Sequence, residues 1–468
     1  MNDTSKIEEY AAVPAELVTW PALEIARAVR ERLVAPEAVI RAHLARIDEA
    51  DPQIHAFQEV RRDGALADAA ALAQRPDLGG LPLAGVPVAI KDNTDVAGLP
   101  TRQGSAATPA GPAASDDELV RRLRAAGAIP IGKTQQPELA VWPFTEPEAY
   151  PATRNPWDPS RTPGGSTGGG AAAVAAGMAA LALGSDGGGS IRVPAACCGL
   201  VGVKPAPGRV PLAGGASEHW YGLTSFGPLA RSAADAAVAL AVLAGDADPA
   251  PVPPPSGPLR IAVSGRHPMA GARVAPAVRG ALAGVSGLLR DAGHTLVPAK
   301  PPYPATLGLR FSRRWLAGIA QDAAGLPAGA LEARTRAMAS LGQRLARSVT
   351  PASADPFAAR AADWLGGYDA LITPVLARPA VPAGTWAGQH WTRATLGVGN
   401  WLLTTQWNLA GLPAASVPFG TDQGLPLAVQ IIAPPGGERT VLALAAQIEQ
   451  LRPWPLIAGR PLAPAAAG

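Results

Sequence analysis

Two glycine-serine runs, separated by a stretch without a single charge, set the strongest limits on what this chain can fold into. The first is Thr162-Pro-Gly-Gly-Ser166-Thr167-Gly168-Gly169-Gly170, and the second is Ser185-Asp186-Gly187-Gly188-Gly189-Ser190-Ile191-Arg192. Each holds a serine in backbone that few residue types tolerate. Glycines before a serine permit a tight loop whose N–H groups converge on one point, the arrangement an oxyanion needs beside a nucleophile. A pair of flexible turns is the plainer alternative for either run alone. The Ala-rich stretch between them, Gly170 to Leu183, carries no charge on any face and predicts a helix buried inside the body of the protein. A chain of 468 residues, 48% hydrophobic and only 16% charged, is long and apolar enough to supply that body.

Around this centre, helical and strand patterns alternate. Leu23 to Val39 and His43 to Ile47 have helical spacing, interrupted near Pro36. Leu83 to Ile90 alternates as a strand that ends at Lys91. Ser115 and Glu118 form a capping-box pattern ahead of a helix with Leu119, Leu123 and Ala126 inside and Gly127 as its stop, and Ala128 to Ile131 resumes as a strand. Further strands are expected at Leu200–Val203, Leu259–Val263, Ala370–Thr373, Ala415–Phe419 and Leu427–Ile432. Alternation of this kind predicts an α/β sheet. The one obvious linker is the Pro-rich stretch 245–257, which either separates two domains or joins two halves of one sheet.

Several function classes are disfavoured. The 40 basic and 37 acidic residues leave a net charge of +3 with no cationic stripe, which argues against nucleic acid and membrane partners. The only cysteines, Cys197 and Cys198, are adjacent, a poor pair for a disulfide and too few for a zinc site. The opening MNDTSKIEEY lacks a signal-peptide pattern, and the run from Gly168 to Gly184 is shorter than the ~20 apolar residues of a membrane span. A cytoplasmic chain without metal or cofactor is the expectation. Gly127 to Thr134 satisfies the phosphate-loop pattern, but a helix precedes it, Pro130 lacks an amide, and Pro137 follows. It is read as a strand ending in Gly-Lys-Thr.

A serine nucleophile needs a base. None of the six histidines, His43, His55, His219, His267, His294 and His390, sits in a glycine-bounded elbow, so a Ser-His-Asp hydrolase is disfavoured. Lys91 is the better base. Only five of the cationic residues are lysines, at 6, 91, 133, 204 and 300, and lysine differs from arginine in that burial can neutralise it. An unperturbed lysine titrates near ~10.4, so desolvation must lower that value before Lys91 can accept a proton. A buried salt bridge to Asp92 or Asp95 is the competing role. Among the aromatics, Trp142, Phe144, Trp220, Tyr221, Trp401 and Trp407 are candidates for an apolar pocket wall or for core.

Taken together, VPVAIKDN at Val86–Asn93, GKTQQPE at Gly132–Glu138, the run Thr153–Gly177 and the run Gly184–Pro205 closely resemble the amidase signature family. Weaker echoes continue in Tyr368–Pro374, Asn408–Pro418 and Gly436–Ala445. The resemblance implies one large α/β domain over 1–468, built on a central mixed, twisted β-sheet surrounded by helices. Its parts would be N-terminal helices in 1–60, a signature core at about 80–245, the connection 245–257 and a C-terminal half, 258–468. Thr167, Gly170 and Pro426-Leu427-Ala428 depart from the family pattern; they leave the presumed triad in place and bear on substrate shape.

The resemblance also implies a Ser-Ser-Lys triad: Ser190 as nucleophile, Ser166 as bridging acid/base on a cis Gly165–Ser166 peptide, and Lys91 as terminal base. The amides of Gly187, Gly188, Gly189 and Ser190 would hold the oxyanion, and Ala140 falls where the family lines the acyl site. Asp186 and Arg192 flank that nucleophile and are expected to brace the loop by hydrogen bonds. The implied reaction is hydrolysis of a small carboxamide through an acyl-enzyme, without cofactor, by a chain that acts alone or as a homodimer. The same triad also serves amidotransferase subunits that release ammonia from glutamine, esterases, and amide-forming acyltransferases.

Overall fold

The strand that ends in Lys91 is the second of eleven in one sheet. In this computed structural model, which describes residues 16–459, the strands are β1 (Phe57–Val60), β2 (Pro87–Lys91), β3 (Ile129–Thr134), β4 (Leu181–Asp186), β5 (Val201–Lys204), β6 (Ser225–Ala230), β7 (Arg260–Val263), β8 (Thr295–Pro298), β9 (Ala370–Pro374), β10 (Ala414–Asp422) and β11 (Leu425–Ile432). Their spatial order is β1-β3-β2-β4-β6-β5-β10-β11-β9-β7-β8. β2 runs parallel to both β3 and β4, and β7 parallel to β8 and β9, while the remaining pairs are antiparallel. The result is a single α/β domain with a large mixed sheet surrounded by helices. The Pro-rich stretch 245–257 joins the helix Ala233–Ala244 to β7 of that same sheet. Lys6 and the polar first ten residues lie outside the described residues.

Several expectations shift in detail. Pro36 does not break a helix but opens one, Pro36–Ile54, because a proline in the first turn forfeits no helical hydrogen bond. The preceding helix is Ala22–Arg30. The Ser115–Glu118 capping box does not form; Asp117 caps the helix Glu118–Ala125 by accepting from the Leu119 N–H. Its carboxylate sits next to the first helical residue, where an oxygen reaches the free amides of the first turn.

The largest difference lies in the uncharged stretch. It is not one helix: Gly168–Ala175 is helical, Gly177 turns the chain with φ of 76°, and β4 begins at Leu181. Alanine suits both states. β4 is a central strand, paired with β2 on one side and β6 on the other, and every one of its residues is buried. Burial on both faces removes the alternation by which a strand is recognised. Strands β1, β6 and β8 were not anticipated.

The phosphate-loop pattern is accounted for. β3 carries it between β1 and β2, with Lys133 fully buried and paired to Asp92 at 2.9 Å. Among the described residues no helix is long and apolar enough to cross a membrane.

Candidate active site

Parallel β2 and β4 end at the same edge of the sheet, in register at Ile90 and Leu183. The residues just beyond, Lys91 on one strand and Ser185 and Asp186 on the other, are therefore neighbours. Open α/β sheets place ligands outside the carboxyl ends of such strands. Lys91 is wholly buried, and its Nζ lies 2.7 Å from Ser166 Oγ, 2.9 Å from Ser185 Oγ and 3.4 Å from the Ser185 carbonyl. Neither expected salt bridge forms, since Asp92 pairs with Lys133 and Asp95 accepts from the Thr101 hydroxyl. Burial pushes the Lys91 ammonium down to about 7, with the nearby Asp186 charge pulling the other way. A neutral amine at this spot has two N–H groups for Ser185 and a lone pair for the Ser166 hydroxyl.

The two glycine-serine runs meet here. The Gly165–Ser166 peptide is cis, and the next amide, Thr167 N–H, donates to the Ser190 carbonyl at 3.1 Å. Glycine is required at 165 because a Cβ would lie 2.6 Å from the Phe144 backbone nitrogen, which cannot retreat. The second run is pinned by Asp186. Its carboxylate accepts from the Gly189 and Ile191 amides at 2.6 and 3.2 Å and from the Arg192 guanidinium at 2.9 and 3.0 Å. Arg192 also donates to Asn408 Oδ1, Gln430 Oε1 and the Thr404 carbonyl. Burial alone would raise the Asp186 carboxyl, but the Arg192 charge and hydrogen bonds, with Lys204 and Asn408, hold it well below the usual range.

Within this network the Gly189 N–H, one of the amides expected at the oxyanion, donates to Asp186 Oδ1 at 2.6 Å. The amides of Gly187, Gly188 and Ser190 make no hydrogen bond within the protein among the described residues. Asp186 thereby fixes the loop at Gly189, while Gly187 borders one cavity and Gly188 and Ser190 border another.

Two cavities flank the serines. One, of about 260 Å³, is polar and lined by Ser166, Ser185, Gly187, Asn93, His219 and Ala140 among others. The other, of about 380 Å³, is bordered by Ser190, Gly188 and Gly189 and walled by Trp142, Phe311, Trp315, Leu307 and Leu402. Of the aromatics singled out above, Trp142 and Trp220 line this apolar cavity, whereas Phe144, Trp401 and Trp407 are core and Tyr221 lines neither. None of the histidines bonds to either serine. His219 instead bonds Asp322 and Thr224.

The sequence matches the Amidase family across residues 38–442. This chain belongs to the amidase signature family. It is 44% identical to AmiB2 of Mycobacterium tuberculosis, over 94% of this chain and 98% of that one. It is 32% identical to the acylamidase of Rhodococcus erythropolis, over 92% and 95%. Among solved structures, the 6-aminohexanoate cyclic dimer hydrolase superposes with a TM-score of 0.83 at 29% identity, covering 93% of this chain and 98% of the hydrolase. The chain is an amidase.

Several features of this amidase escaped sequence reasoning. Ser185, which opens the second glycine-serine run with no role expected of it, bonds Lys91 and accepts from the Asn93 side-chain amide at 3.0 Å. Lys204 is as buried as Lys91 and is likewise pushed down to about 7, chiefly by burial and then by the Arg192 charge. Among the described residues its Nζ meets only the Pro205 carbonyl, at 3.0 Å. Burial therefore does not single out Lys91; its serine partners do. Pairing in the sheet could have pointed to Ser185, but nothing in the sequence marks that register.

Proposed function

We propose that this amidase hydrolyses a carboxamide through an acyl-enzyme on Ser190, with Ser166 and Lys91 as its proton relay. The observation that carries the reading is the 2.7 Å contact between a buried, charge-depressed Lys91 and Ser166. Ser190 Oγ attacks the carbonyl carbon, its proton passing to Ser166 as Ser166 gives its own to Lys91. The oxyanion that forms accepts from the Gly187, Gly188 and Ser190 amides. Lys91 then returns the proton through Ser166 to the leaving nitrogen, which departs as an amine or ammonia. An amine leaves only once protonated, so a hydroxyl that relays both ways suits the task. Water, deprotonated by the same relay, attacks the ester and frees the carboxylic acid. Asp186 and Arg192 hold the loop and take no proton.

An independent enzyme is favoured over a glutamine-using subunit because the cavity beside Ser190 is walled by aromatic and aliphatic side chains. The charged amino-acid end of glutamine would lose its hydration there with no partner. Purified alone, the chain should release ammonia from simple apolar carboxamides and leave glutamine untouched. Ammonia from glutamine only, or activity that requires added partner subunits, would sink this reading.

A further inference from the structure

We propose that Trp220, held in place by Asp322, is the specificity-determining residue of this amidase: its indole divides the site into an apolar chamber for the acyl half of the substrate and a polar chamber for the amine half. The inference rests on the roles assigned above to Ser190 and Ser166. Trp220 borders both cavities. Ser190, which must reach the carbonyl carbon, opens on the apolar one; Ser166, which must reach the nitrogen, opens on the polar one. An amide bound for reaction therefore lies across the divide with its acyl chain beside Trp142, Phe311 and Trp315. Its amine substituent lies beside Asn93, Asp95, Thr101 and Gln103.

The divider is fixed from four directions. Trp220 Nε1–H donates to Asp322 Oδ2 at 2.6 Å, and the other carboxylate oxygen lies 3.0 Å from His219 Nε2. With Nε2 protonated, His219 Nδ1 accepts from the Thr224 hydroxyl at 2.8 Å, so one carboxylate sets the imidazole tautomer and the indole together. The two rings stack, with centroids 5.5 Å apart and planes 19° apart. The indole packs closely on two glycines. A Cβ on Gly187, in the nucleophile loop, would sit 2.7 Å from Trp220 Cε3, and one on Gly318 would lie 2.6 Å from Trp220 Cγ. Gly318 and Asp322 belong to the helix Leu307–Asp322, which also supplies Phe311 and Trp315 to the apolar wall. Trp220 and Tyr221 both adopt left-handed backbone, φ of 49° and 54°, a conformation bulky side chains rarely take. Such backbone persists where the surroundings over-determine it and tends to mark functional segments.

Two isomeric amides test the division, because they have the same atoms with the apolar and polar halves exchanged. N-(2-hydroxyethyl)hexanamide places the alkyl chain on the acyl side; N-hexyl-2-hydroxyacetamide places it on the amine side. The wild-type enzyme should prefer the first by about 10-fold or more in kcat/KM, the discrimination an apolar pocket achieves. In Trp220→Ala the ratio should fall toward one, through a raised KM for the preferred isomer. Asp322→Asn, which keeps one acceptor oxygen and the side-chain shape, should give an intermediate ratio. Equal or reversed rates in the wild type, or an undiminished ratio in folded Trp220→Ala, would overturn the proposal. Hydrolysis of propionamide with neither isomer turned over would also overturn it. Failure on propionamide and on every other amide would instead remove the catalytic reading beneath it.

Discussion

Lys91 Nζ and Ser166 Oγ stand 2.7 Å apart, in a buried position where Lys91 forms no ion pair with any described carboxylate. Of the three lysines buried at this end of the sheet, Lys133 is neutralised by Asp92 and Lys204 meets only a carbonyl. Lys133, paired as a cation to Asp92, also meets the Thr101 hydroxyl at 2.9 Å; Lys91 is the one of the three that meets serine hydroxyls, with no carboxylate to hold its charge.

The first consequence is a pH profile. Lys91 works as a base only when neutral, and burial brings it to about 7. The kcat/KM for a neutral amide should therefore climb about tenfold per pH unit below 7 and level off above it. For stability the sign runs the same way. The folded-state value lies below the unfolded one, so between about 7 and ~10.4 the unfolded chain binds more protons and the Lys91 contribution to stability grows with pH. Lys91→Met should abolish turnover at all pH values with an equal or higher Tm; a rate limb near pH 7 that survives this change would mean another base.

Ser166 should matter most where the leaving group is worst. Ser166→Ala removes the proton donor to nitrogen, a loss of about 10²–10⁴ for amides. An ester with a phenolate leaving group needs no protonation and should lose less, keeping only the cost of activating Ser190 without its relay. Steady-state kinetics on a matched amide and ester pair checks this: equal losses on both would mean that Ser166 does not protonate the leaving nitrogen and acts only in taking the Ser190 proton, and no loss on either would place it outside the relay.

Asp186 organises the loop that carries Ser190 through six donors, among them the amides of Gly189, Ile191 and Arg192 and the Arg192 guanidinium. Asp186→Ala leaves a buried guanidinium without its counter-charge, a change that costs about 3–5 kcal/mol. A clear drop in Tm should accompany the loss of activity. An unchanged melt would show that Asn408 and Gln430 suffice to hold Arg192.

Gly165→Ala tests the close approach of the first loop. The added methyl would lie 2.6 Å from the Phe144 nitrogen, and strain of about 1–3 kcal/mol is expected. Activity should fall with it, since Ser166 is the next residue. Differential scanning calorimetry beside an activity assay reads both, and a variant normal in each would mean the loop has room.

How much of this was legible in the sequence depended on whether the signal was local. The strand ending at Lys91 and the two glycine-serine runs could be read because each is a local pattern with a chemical reason. The helix-to-strand change at Gly177 could not, since alanine carries no periodicity when every face is buried. Asp117 displaced Ser115 as the cap because both residue types cap well and only the path of the chain chooses between them. The pairing of His219 and Trp220 with Asp322 joins residues about a hundred positions apart, with no local trace in either segment. Gly189 illustrates the same limit: its glycine was expected, but the direction of its N–H is set by Asp186.

The central claim is the covalent acyl-enzyme on Ser190, and intact-protein mass spectrometry after reaction with a fluorophosphonate tests it most directly. The account predicts a single adduct, mapped by peptide digestion to Ser190, formed faster as pH rises through about 7 and absent in Ser190→Ala. An adduct on another residue, or full labelling of Ser190→Ala, would contradict it.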